Sequence, residues 1–374
     1  MLTTNSRDDG QTATMMTGTA LVCLGPVGKG TLEVRQFPRR NPGADEIEVA
    51  VAAASVNPID VRRAEGYGRR LLPLIGAGRF PLVLGNDFAG IVTAVGVKAG
   101  AFKVGDRVYG VKPPSIEGTH ASHVLVKAKP NVLRGPAGHD LQELAAIPYS
   151  FVTMWLAVRG AGLNRRNAAG KKVLVHGAAG GLGTLALQML TAWDTRVTAI
   201  AEPSSWTACR EAGAVEVVAG TSRLFASLAR SFDVTLNFAT WDDELALLGC
   251  LREGGLGHAT TVHPMLRNFD ELGWLRGALK TFADKKRHRA ALPKGCRNHA
   301  WTLFRPEVDA LLELGELVER GALSLPIGLG VPLAQGGEAF EHVRNRRSGR
   351  ALMLPYGAVA PMIDSRDSRI QSFS

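Results

Sequence analysis

The segment Gly177–Gly183 has the residue types of a phosphate-binding turn. It follows an apolar run, Val173–Val175, and precedes a helical stretch, Thr184–Trp193. Residues without a bulky side chain permit a tight turn, and bare backbone lets an anion approach closely. The free N–H groups and the positive end of the next helix stabilise that anion. The pattern therefore predicts a site for the pyrophosphate of a dinucleotide, formed by Gly177, Ala178, Ala179, Gly180, Gly181, Leu182 and Gly183.

The elements around this turn alternate between strands and helices. After the strand Val173–Val175, further strands are predicted at Arg196–Ala201, Val215–Val218 and Val234–Phe238. Helical patterns separate them at Thr184–Trp193, Thr207–Ala212 and Leu224–Arg230. Such alternation predicts parallel βαβ units in a doubly wound sheet.

The first part of the chain is predicted to be an antiparallel, barrel-like domain. Its short β-like runs are separated by Gly, Pro and Asp turns; they are Thr19–Leu24, Leu32–Gln36, Glu46–Ala54, Gly90–Val95, Arg107–Val111 and Ser122–Val126. A helix is expected at Glu307–Arg320, and a late strand, Ala351–Leu354, is expected to return to the first domain. The predicted divisions are a flexible 1–17, a first domain 18–148, a second domain 149–328, a return segment 329–357 and a flexible tail 358–374.

Composition narrows the class of protein. The chain has 374 residues, 45% hydrophobic, with a formal net charge of +10. We interpret the charge as that of a basic enzyme that attracts a phosphate-bearing cofactor; a nucleic-acid partner is disfavoured because no such motif accompanies it. The basic run Lys285–Arg289 is either a solvated helix face or loop, or a contact with an anion or a peripheral membrane surface.

Cysteine usage and the chain ends favour a cytoplasmic protein. The four cysteines are far apart, so neither a disulfide framework nor a zinc site is expected. The first 17 residues lack the apolar segment of a secretory signal, and no apolar stretch is long enough to span a bilayer. A monomer or a homodimer is expected.

Several motifs together carry a wider resemblance, from about Thr19 to Pro355. Besides the glycine segment they are Ser55–Asp60, Leu84–Gly90, Val104–Tyr109, Ile147–Tyr149 and Thr153–Trp155. With them the chain resembles the medium-chain dehydrogenase/reductase superfamily, in its zinc-free quinone-oxidoreductase branch. The resemblance implies a GroES-like antiparallel β-barrel catalytic domain, a doubly wound parallel-sheet Rossmann domain, and an active site in the cleft between them.

The two positions that match the family's catalytic zinc ligands carry amides, Asn57 and Asn86. An amide is a poor zinc ligand beside a thiolate or an imidazole, and the four-cysteine structural lobe is also absent from the sequence. We therefore expect no zinc. Without a Lewis acid, the expected reaction is hydride transfer from NAD(P)H to an electron-poor acceptor, a quinone or an activated alkene (enone).

Three residues are candidates for catalysis. The resemblance places Asn57 beside nicotinamide and substrate, where an amide can hydrogen-bond the oxygen that gains charge; a turn residue before Pro58 is the alternative. Asp60 is a candidate for orienting neighbours or relaying a proton, or for a hydrogen bond within the first domain. Tyr67, in a Gly-rich loop, is a candidate proton donor or a loop-packing residue.

Other residues are candidates for cofactor contacts. Tyr149 and Thr153 precede the Rossmann segment, where the family places nicotinamide contacts. At the end of the second strand, Ser204 and Ser205 partly fit an NADPH site, with Arg210, Arg223 or Arg350 as sources of positive charge. Glu202 would instead accept from a ribose 2′-hydroxyl and repel a 2′-phosphate. NADPH is favoured, with NADH as the alternative.

The loop Asn237–Thr240 departs from the resembled pattern. Phe238 stands where that pattern has small residues near nicotinamide, and Gly220 stands where NADPH-preferring relatives carry a tyrosine. Phe238 is therefore expected to reshape the site or to obstruct it. These departures leave a second function open: a cofactor-binding interaction or structural protein with little turnover.

Overall fold

The computed structural model describes residues 16–26 and 31–357. The ends expected to be flexible, 1–17 and 358–374, lie outside the described residues except for Met16 and Thr17. Thr17 already belongs to the first strand.

Sixteen strands are found in the described part of the chain. They are β1 Thr17–Cys23, β2 Leu32–Pro38, β3 Glu46–Val56, β4 Leu82–Val83, β5 Asp87–Val95, β6 Arg107–Val111, β7 His123–Lys127, β8 Val132–Arg134, β9 Lys172–His176, β10 Arg196–Ile200, β11 Glu216–Val218, β12 Val234–Asn237, β13 Gly257–Thr260, β14 Asn298–Trp301, β15 Ile327–Val331 and β16 Arg350–Met353.

Eleven helices accompany these strands within the same described ranges. They are α1 Pro58–Ala64, α2 Ala128–Asn131 (an irregular turn), α3 Leu141–Ala145, α4 Pro148–Gly160, α5 Gly181–Ala192, α6 Trp206–Glu211, α7 Ser222–Ser227, α8 Glu244–Gly249, α9 Met265–Ala290, α10 Val308–Glu319 and α11 Gly336–Arg344. Single 3₁₀ turns occur at Leu72–Ile75, Pro203–Ser205, Trp241–Asp243 and Leu333–Gln335.

A six-stranded parallel sheet forms the second half of the described chain, in the order β11-β10-β9-β12-β13-β14. The central strand β9 is mostly apolar because helices cover both sheet faces, whereas β12 alternates Val234 and Leu236 with the buried polar residues Thr235 and Asn237. The predicted doubly wound sheet is confirmed. The order reverses between β9 and β12, so the carboxyl ends of these two strands open a crevice.

The other half is built on mostly antiparallel pairs. Its seven-stranded sheet runs β15-β16-β3-β5-β6-β8, with β7 also paired to β3, and β1, β2 and β4 form a separate small sheet. The last strand, β16, pairs antiparallel with β3, a strand of the first half. Every predicted strand is found, with ends shifted by a few residues at most.

The segment 261–299 holds elements that periodicity did not predict. Helix α9 is broken at Gly273, whose φ of 77° is left-handed. Beyond the break, the buried positions include Gly277, Asp284 and His288, whereas apolar side chains such as Leu279 and Phe282 are exposed. Among the described residues, no helix is both long and apolar enough to cross a membrane.

Candidate functional site

Two glycines of the turn are required by the fold itself. Gly177 has φ +80°, and a Cβ there would lie 3.0 Å from the backbone of Phe238 and Ala239. A Cβ on Gly183 would lie 2.2 Å from the carbonyl oxygen of Gly177. These positions therefore allow the tight turn and the close packing of α5 against it.

Gly180 is different, because nothing in the protein requires glycine there. It precedes α5 with φ −77° and ψ 168°, an extended conformation open to any residue. A Cβ on it would meet only the carbonyl oxygen of Gly177, at 3.5 Å. No side chain caps the N–H groups that begin α5. The space and the donors both fit an anion held against the helix N-terminus.

Two polar side chains converge beside Gly181. A Cβ there would lie 3.3 Å from Nη1 of Arg350 and 3.6 Å from Oγ of Ser150. The hydroxyl of Ser150 and Nε of Arg350 are buried with no hydrogen-bond partner among the described residues. Buried donors normally have partners. A ligand carrying negative oxygens would supply them, so the residues present fit a dinucleotide pyrophosphate.

Arg350 also joins this turn to a buried polar network in the first half. Its Nη2 donates to Oγ of Ser55 and to Oδ1 of Asn57, both at 2.7 Å. Ser55 donates in turn to the Asp87 carboxylate at 2.7 Å, and the Asn57 amide donates to Ser55 Oγ at 3.2 Å. Asn57 is 1% exposed and Asp87 is fully buried. Burial raises the pKa of Asp87 to about 6, although the charge of Arg350 opposes that shift.

Asp60 is occupied by backbone donors. One carboxylate oxygen accepts from the N–H of Asn57 at 2.9 Å, and the other accepts from the N–H of Gly85 at 3.0 Å. Together with Asn57 it forms a capping box at the start of α1. Asp60 therefore makes hydrogen bonds within the first domain, which was the alternative to a catalytic role in the sequence analysis.

Tyr67 lies on the loop after α1, apart from the polar network. Its ring is covered by Arg62, whose guanidinium carbon is 5.6 Å from the ring centroid. Burial raises the pKa of its phenol. Among the described residues, Tyr67 makes no hydrogen bond or ring contact with Asn57 or Arg350. The geometry therefore does not bring the three catalytic candidates together.

Tyr149 and Thr153 lie on the first two turns of α4. The Thr153 hydroxyl donates to the carbonyl oxygen of Tyr149 at 2.8 Å, and the Tyr149 ring packs against Phe304 at 4.4 Å between centroids. Burial, with the charges of Asp60 and Asp87, raises the pKa of Tyr149. The phenol therefore keeps its proton at neutral pH.

The end of β10 carries the candidates for cofactor preference. Glu202 and Ser204 are exposed and Ser205 is half-buried. The indole of Trp206 donates to the carbonyl oxygen of Ala201 at 3.1 Å, and Arg210 lies over the Trp206 ring at 5.8 Å. Arg350 contacts Ser55, Asn57 and the Gly181 turn instead, so its placement favours the pyrophosphate over a 2′-phosphate.

Phe238 follows β12 and packs against the main hydrophobic core while remaining partly exposed. Its N–H donates to the carbonyl oxygen of His176 at 3.0 Å. The loop is held by Asn237, whose amide donates to the carbonyl oxygen of Thr240 at 2.7 Å. The packing of Phe238 into the core argues against a ring that fills the crevice.

The positions that match catalytic zinc ligands do not suit a cation. The oxygen of Asn57 accepts from the guanidinium of Arg350, so a positive charge already lies there. Asn86 donates its amide N–H to the carbonyl oxygen of Lys112 at 3.0 Å. The donor set of two amides beside an arginine does not fit zinc.

Sequence reasoning missed part of the site. Ser55, Asp87 and Ser150 were not chosen, although Ser55 and Asp87 belong to two of the quoted motifs. The available signal for Ser55 is a polar residue in the apolar second part of β3, which follows Glu48. Nothing local signals that Arg350, 295 residues further on, would hydrogen-bond to it.

Comparison with known proteins agrees with this architecture. Residues 43–148 match the alcohol dehydrogenase GroES-like domain. The chain is 33% identical to the mitochondrial NAD(P)H oxidoreductase RTN4IP1 of Bos taurus over 323 residues, covering 83% of this chain and 81% of the relative. The Homo sapiens protein of the same name is also 33% identical, with the same coverage.

Solved structures show the same fold. A quinone oxidoreductase from Coxiella burnetii superposes with a TM-score of 0.74 at 21% identity, covering 91% of this chain and 99% of that one. The CurK enoyl reductase superposes with a TM-score of 0.72 at 22% identity, covering 90% and 99%. With the identity to RTN4IP1, the chain belongs to the medium-chain dehydrogenase/reductase superfamily, in the family of the NAD(P)H oxidoreductases named RTN4IP1.

Proposed function

We propose that this chain is an oxidoreductase that transfers hydride from NADPH to a quinone or an enone, with no metal at Asn57 or Asn86. The observation that carries the proposal is the position of Arg350. Its guanidinium lies at the Gly181 turn and hydrogen-bonds Ser55 and Asn57. One cation therefore connects the anion-binding turn to the polar network of the other half.

The residues of the chain would hold the cofactor and stabilise charge. The N–H groups before α5, Ser150 and Arg350 would bind the pyrophosphate. The bound nicotinamide supplies the hydride. As the acceptor is reduced, its oxygen gains negative charge, and preorganised donors such as Arg350 and the Asn57 amide would stabilise that oxygen. Tyr67 or solvent would supply the proton.

The test is a substitution of Arg350 by Gln, with Arg347→Gln as the matched control because Arg347 is exposed on the preceding loop. NADPH oxidation is measured with a panel of quinones and enones. Loss of one such donor costs about 10²–10³ in kcat, and we expect that loss in Arg350→Gln alone. Equal rates in both variants would contradict the proposal.

A second function, cofactor binding with little turnover, is favoured by the burial of the candidate catalytic groups. Asn57 is 1% exposed and its amide is engaged with Ser55 and Arg350. Calorimetry separates the two functions. Tight NADPH binding with no oxidation by any acceptor in the panel would support the second one.

For cofactor choice we propose NADPH, with NADH as the alternative. Glu202 is exposed at the end of β10, where a carboxylate near the adenosine ribose would repel a 2′-phosphate. If it faces the ribose, Glu202→Gln should strengthen NADPH binding by about 1–2 kcal/mol. Titration of both cofactors checks this. Native preference for NADPH with no change in the variant would show that Glu202 does not act on the phosphate.

For partners we propose a peripheral contact with an anionic membrane surface through the outer face of α9. Leu275, Leu279 and Phe282 are 74%, 61% and 68% exposed, and the basic run Lys285–Arg289 follows on the same helix. An apolar face beside cationic side chains is typical of helices that lie in a lipid interface. A cytoplasmic location stays a prediction, since the RTN4IP1 relatives are named mitochondrial.

A further inference from the structure

A row of polar side chains crosses three neighbouring strands of the parallel sheet. Thr235 on β12 pairs in register with His258 on β13, which pairs with His299 on β14. The rings of His258 and His299 stack at 5.9 Å, and the Thr235 hydroxyl is 2.7 Å from Nδ1 of His258. Side chains that face the core are ordinarily apolar, so a row of polar side chains at this place needs a physical explanation.

Helices α8 and α9 bring two more ligand-type residues to this row. Glu244 begins α8, and His288 lies on the last turn of α9. One potential ligand atom from each of Glu244, His288 and His299 lies within 4.8 Å of the others. Glu244 is 1% exposed and His288 is 4% exposed. His299 is half-buried, so the cluster lies mostly inside the protein.

The Glu244 carboxylate is held in place by two neighbouring side chains. His258 Nε2 lies 2.9 Å from Oε1 of Glu244, and the amide of Asn237 donates to Oε2 at 2.7 Å. Each carboxylate oxygen keeps a second lone pair. Carboxylates that bind metal ions are themselves commonly held by such hydrogen bonds.

The two imidazoles have nitrogen atoms without partners. Nδ1 of His288 and Nε2 of His299 are buried and have no hydrogen-bond partner among the described residues. A neutral imidazole offers one lone pair to a metal.

We propose that Glu244, His288 and His299 form a binding site for a divalent transition metal ion, with zinc as the expected occupant. Two imidazoles and one carboxylate are a recurrent ligand set for zinc. Zinc bonds of about 2.0–2.1 Å in a tetrahedron separate ligand atoms by about 3.3 Å. The cluster must therefore contract by side-chain rotation when the ion binds, because its ligand atoms lie up to 4.8 Å apart.

This site is separate from the proposed hydride-transfer site. It shares no residue with the Arg350 network, and it lies on the β12–β14 side of the parallel sheet. The sequence-based expectation of no zinc was argued from Asn57, Asn86 and the cysteine spacing, and a zinc ion bound at this cluster would contradict it. The ion would fix α9, through His288, against the sheet edge formed by β14, through His299.

The experiment uses full-length, tag-free protein stripped with a chelator and titrated with Co²⁺, a probe whose visible absorption reports nitrogen and oxygen ligands. We expect one equivalent to bind and to be displaced by Zn²⁺. His299→Gln and His288→Gln should each lose more than about 100-fold in Co²⁺ affinity, beyond the 10–100-fold typical of supporting residues.

The matched control is His263→Gln. His263 is also buried, stacks on Trp301 at 5.0 Å and bonds to the carbonyl oxygen of Thr302, but it is outside the cluster, so this variant should bind Co²⁺ normally. NADPH calorimetry on each variant checks that it is folded. On native crystals, an anomalous zinc peak between the three side chains would support the site. Failure of stripped native protein to bind Co²⁺, a peak elsewhere, or undiminished binding in a folded His299→Gln would each overturn the proposal.

Discussion

At Gly180 the backbone has φ −77° and ψ 168°, and the space beyond its Cα is free of protein atoms except one carbonyl oxygen. Gly177 and Gly183 differ from it, since a side chain at either would collide with backbone. Glycine is therefore needed for two different reasons within seven positions: by the backbone at Gly177 and Gly183, and by the proposed ligand at Gly180. Of these three positions, only Gly180 allows a substitution that removes ligand binding without disturbing the fold.

Gly180→Val is expected to abolish nucleotide binding while the protein stays folded, because the added side chain fits the protein but occupies the space proposed for pyrophosphate. Calorimetry with NADPH and NADH measures the affinity, and circular dichroism checks the fold. Gly337→Val is the control, because a Cβ at Gly337 also meets no atom within 4 Å. Unchanged affinity in folded Gly180→Val would refute the proposed cradle.

Asp87→Asn should change how stability depends on pH. Burial raises the native pKa of Asp87 from 3.8 to about 6, so folding favours the protonated form. That stabilisation is complete below about pH 4 and is lost as the pH rises through 6. Relative to the variant, native protein should lose at most about 3 kcal/mol of unfolding free energy between pH 4 and 7.

Urea unfolding of native protein and of Asp87→Asn across this pH range measures the difference between their unfolding free energies. The contributions of the other titrating groups are common to both proteins and cancel in this difference. Asp309→Asn, at an exposed position on α10, is the matched control. A difference between native protein and Asp87→Asn that stays constant from pH 4 to 7 would disprove the assignment.

Among the elements, α9 holds the loop that carries Tyr67. The Asp270 carboxylate accepts from the N–H of Gly68 at 2.5 Å and from the N–H of Arg70 at 3.1 Å. Asp270 is 8% exposed. One side chain of the second half therefore fixes the course of a loop of the first half, and with it the position of the candidate proton donor.

Asp270→Ala should release this loop, because two backbone donors lose their acceptor at a cost of about 1–3 kcal/mol. Hydrogen exchange should become faster over residues 66–70, and the KM of the acceptor should rise if Tyr67 lies at its site. Glu271→Ala, at the exposed neighbouring position, serves as control. Equal exchange in the two variants would show that the loop is held by other contacts.

For the whole molecule, α9 exposes large apolar side chains next to charged ones. Its buried positions are polar or small, including Gly277, Asp284 and His288, while Leu275 and Phe282 are exposed. Large exposed apolar side chains close together on one helix mark an interaction surface.

Leu279→Glu combined with Phe282→Glu should remove binding to vesicles that contain anionic lipid, measured by co-sedimentation at low and physiological salt. The native protein should bind such vesicles and not neutral ones. Leu312→Glu, at a position 63% exposed on α10, is the control. Dimer dissociation in the double variant without any vesicle binding by native protein would assign the face to a second copy of the chain instead.

Local sequence determined much of this protein. Largely apolar runs between turn residues predicted β9, β10 and β12, because strands buried on both faces are mostly apolar. The glycine spacing predicted the turn before α5, because φ +80° at Gly177 is accessible mainly to glycine. These features depend on a few adjacent residues, so the sequence alone carries them.

The tertiary structure decided the rest. The network of Ser55, Asn57, Asp87 and Arg350 joins residues from both ends of the chain, and no local pattern encodes such long-range pairs. The polar inner face of α9 reverses the usual hydrophobic periodicity, so the helix and its partners on β13 and β14 were not predicted. Chain topology brought Glu244, His288 and His299 together, since a metal site on separate elements depends on their packing rather than on spacing.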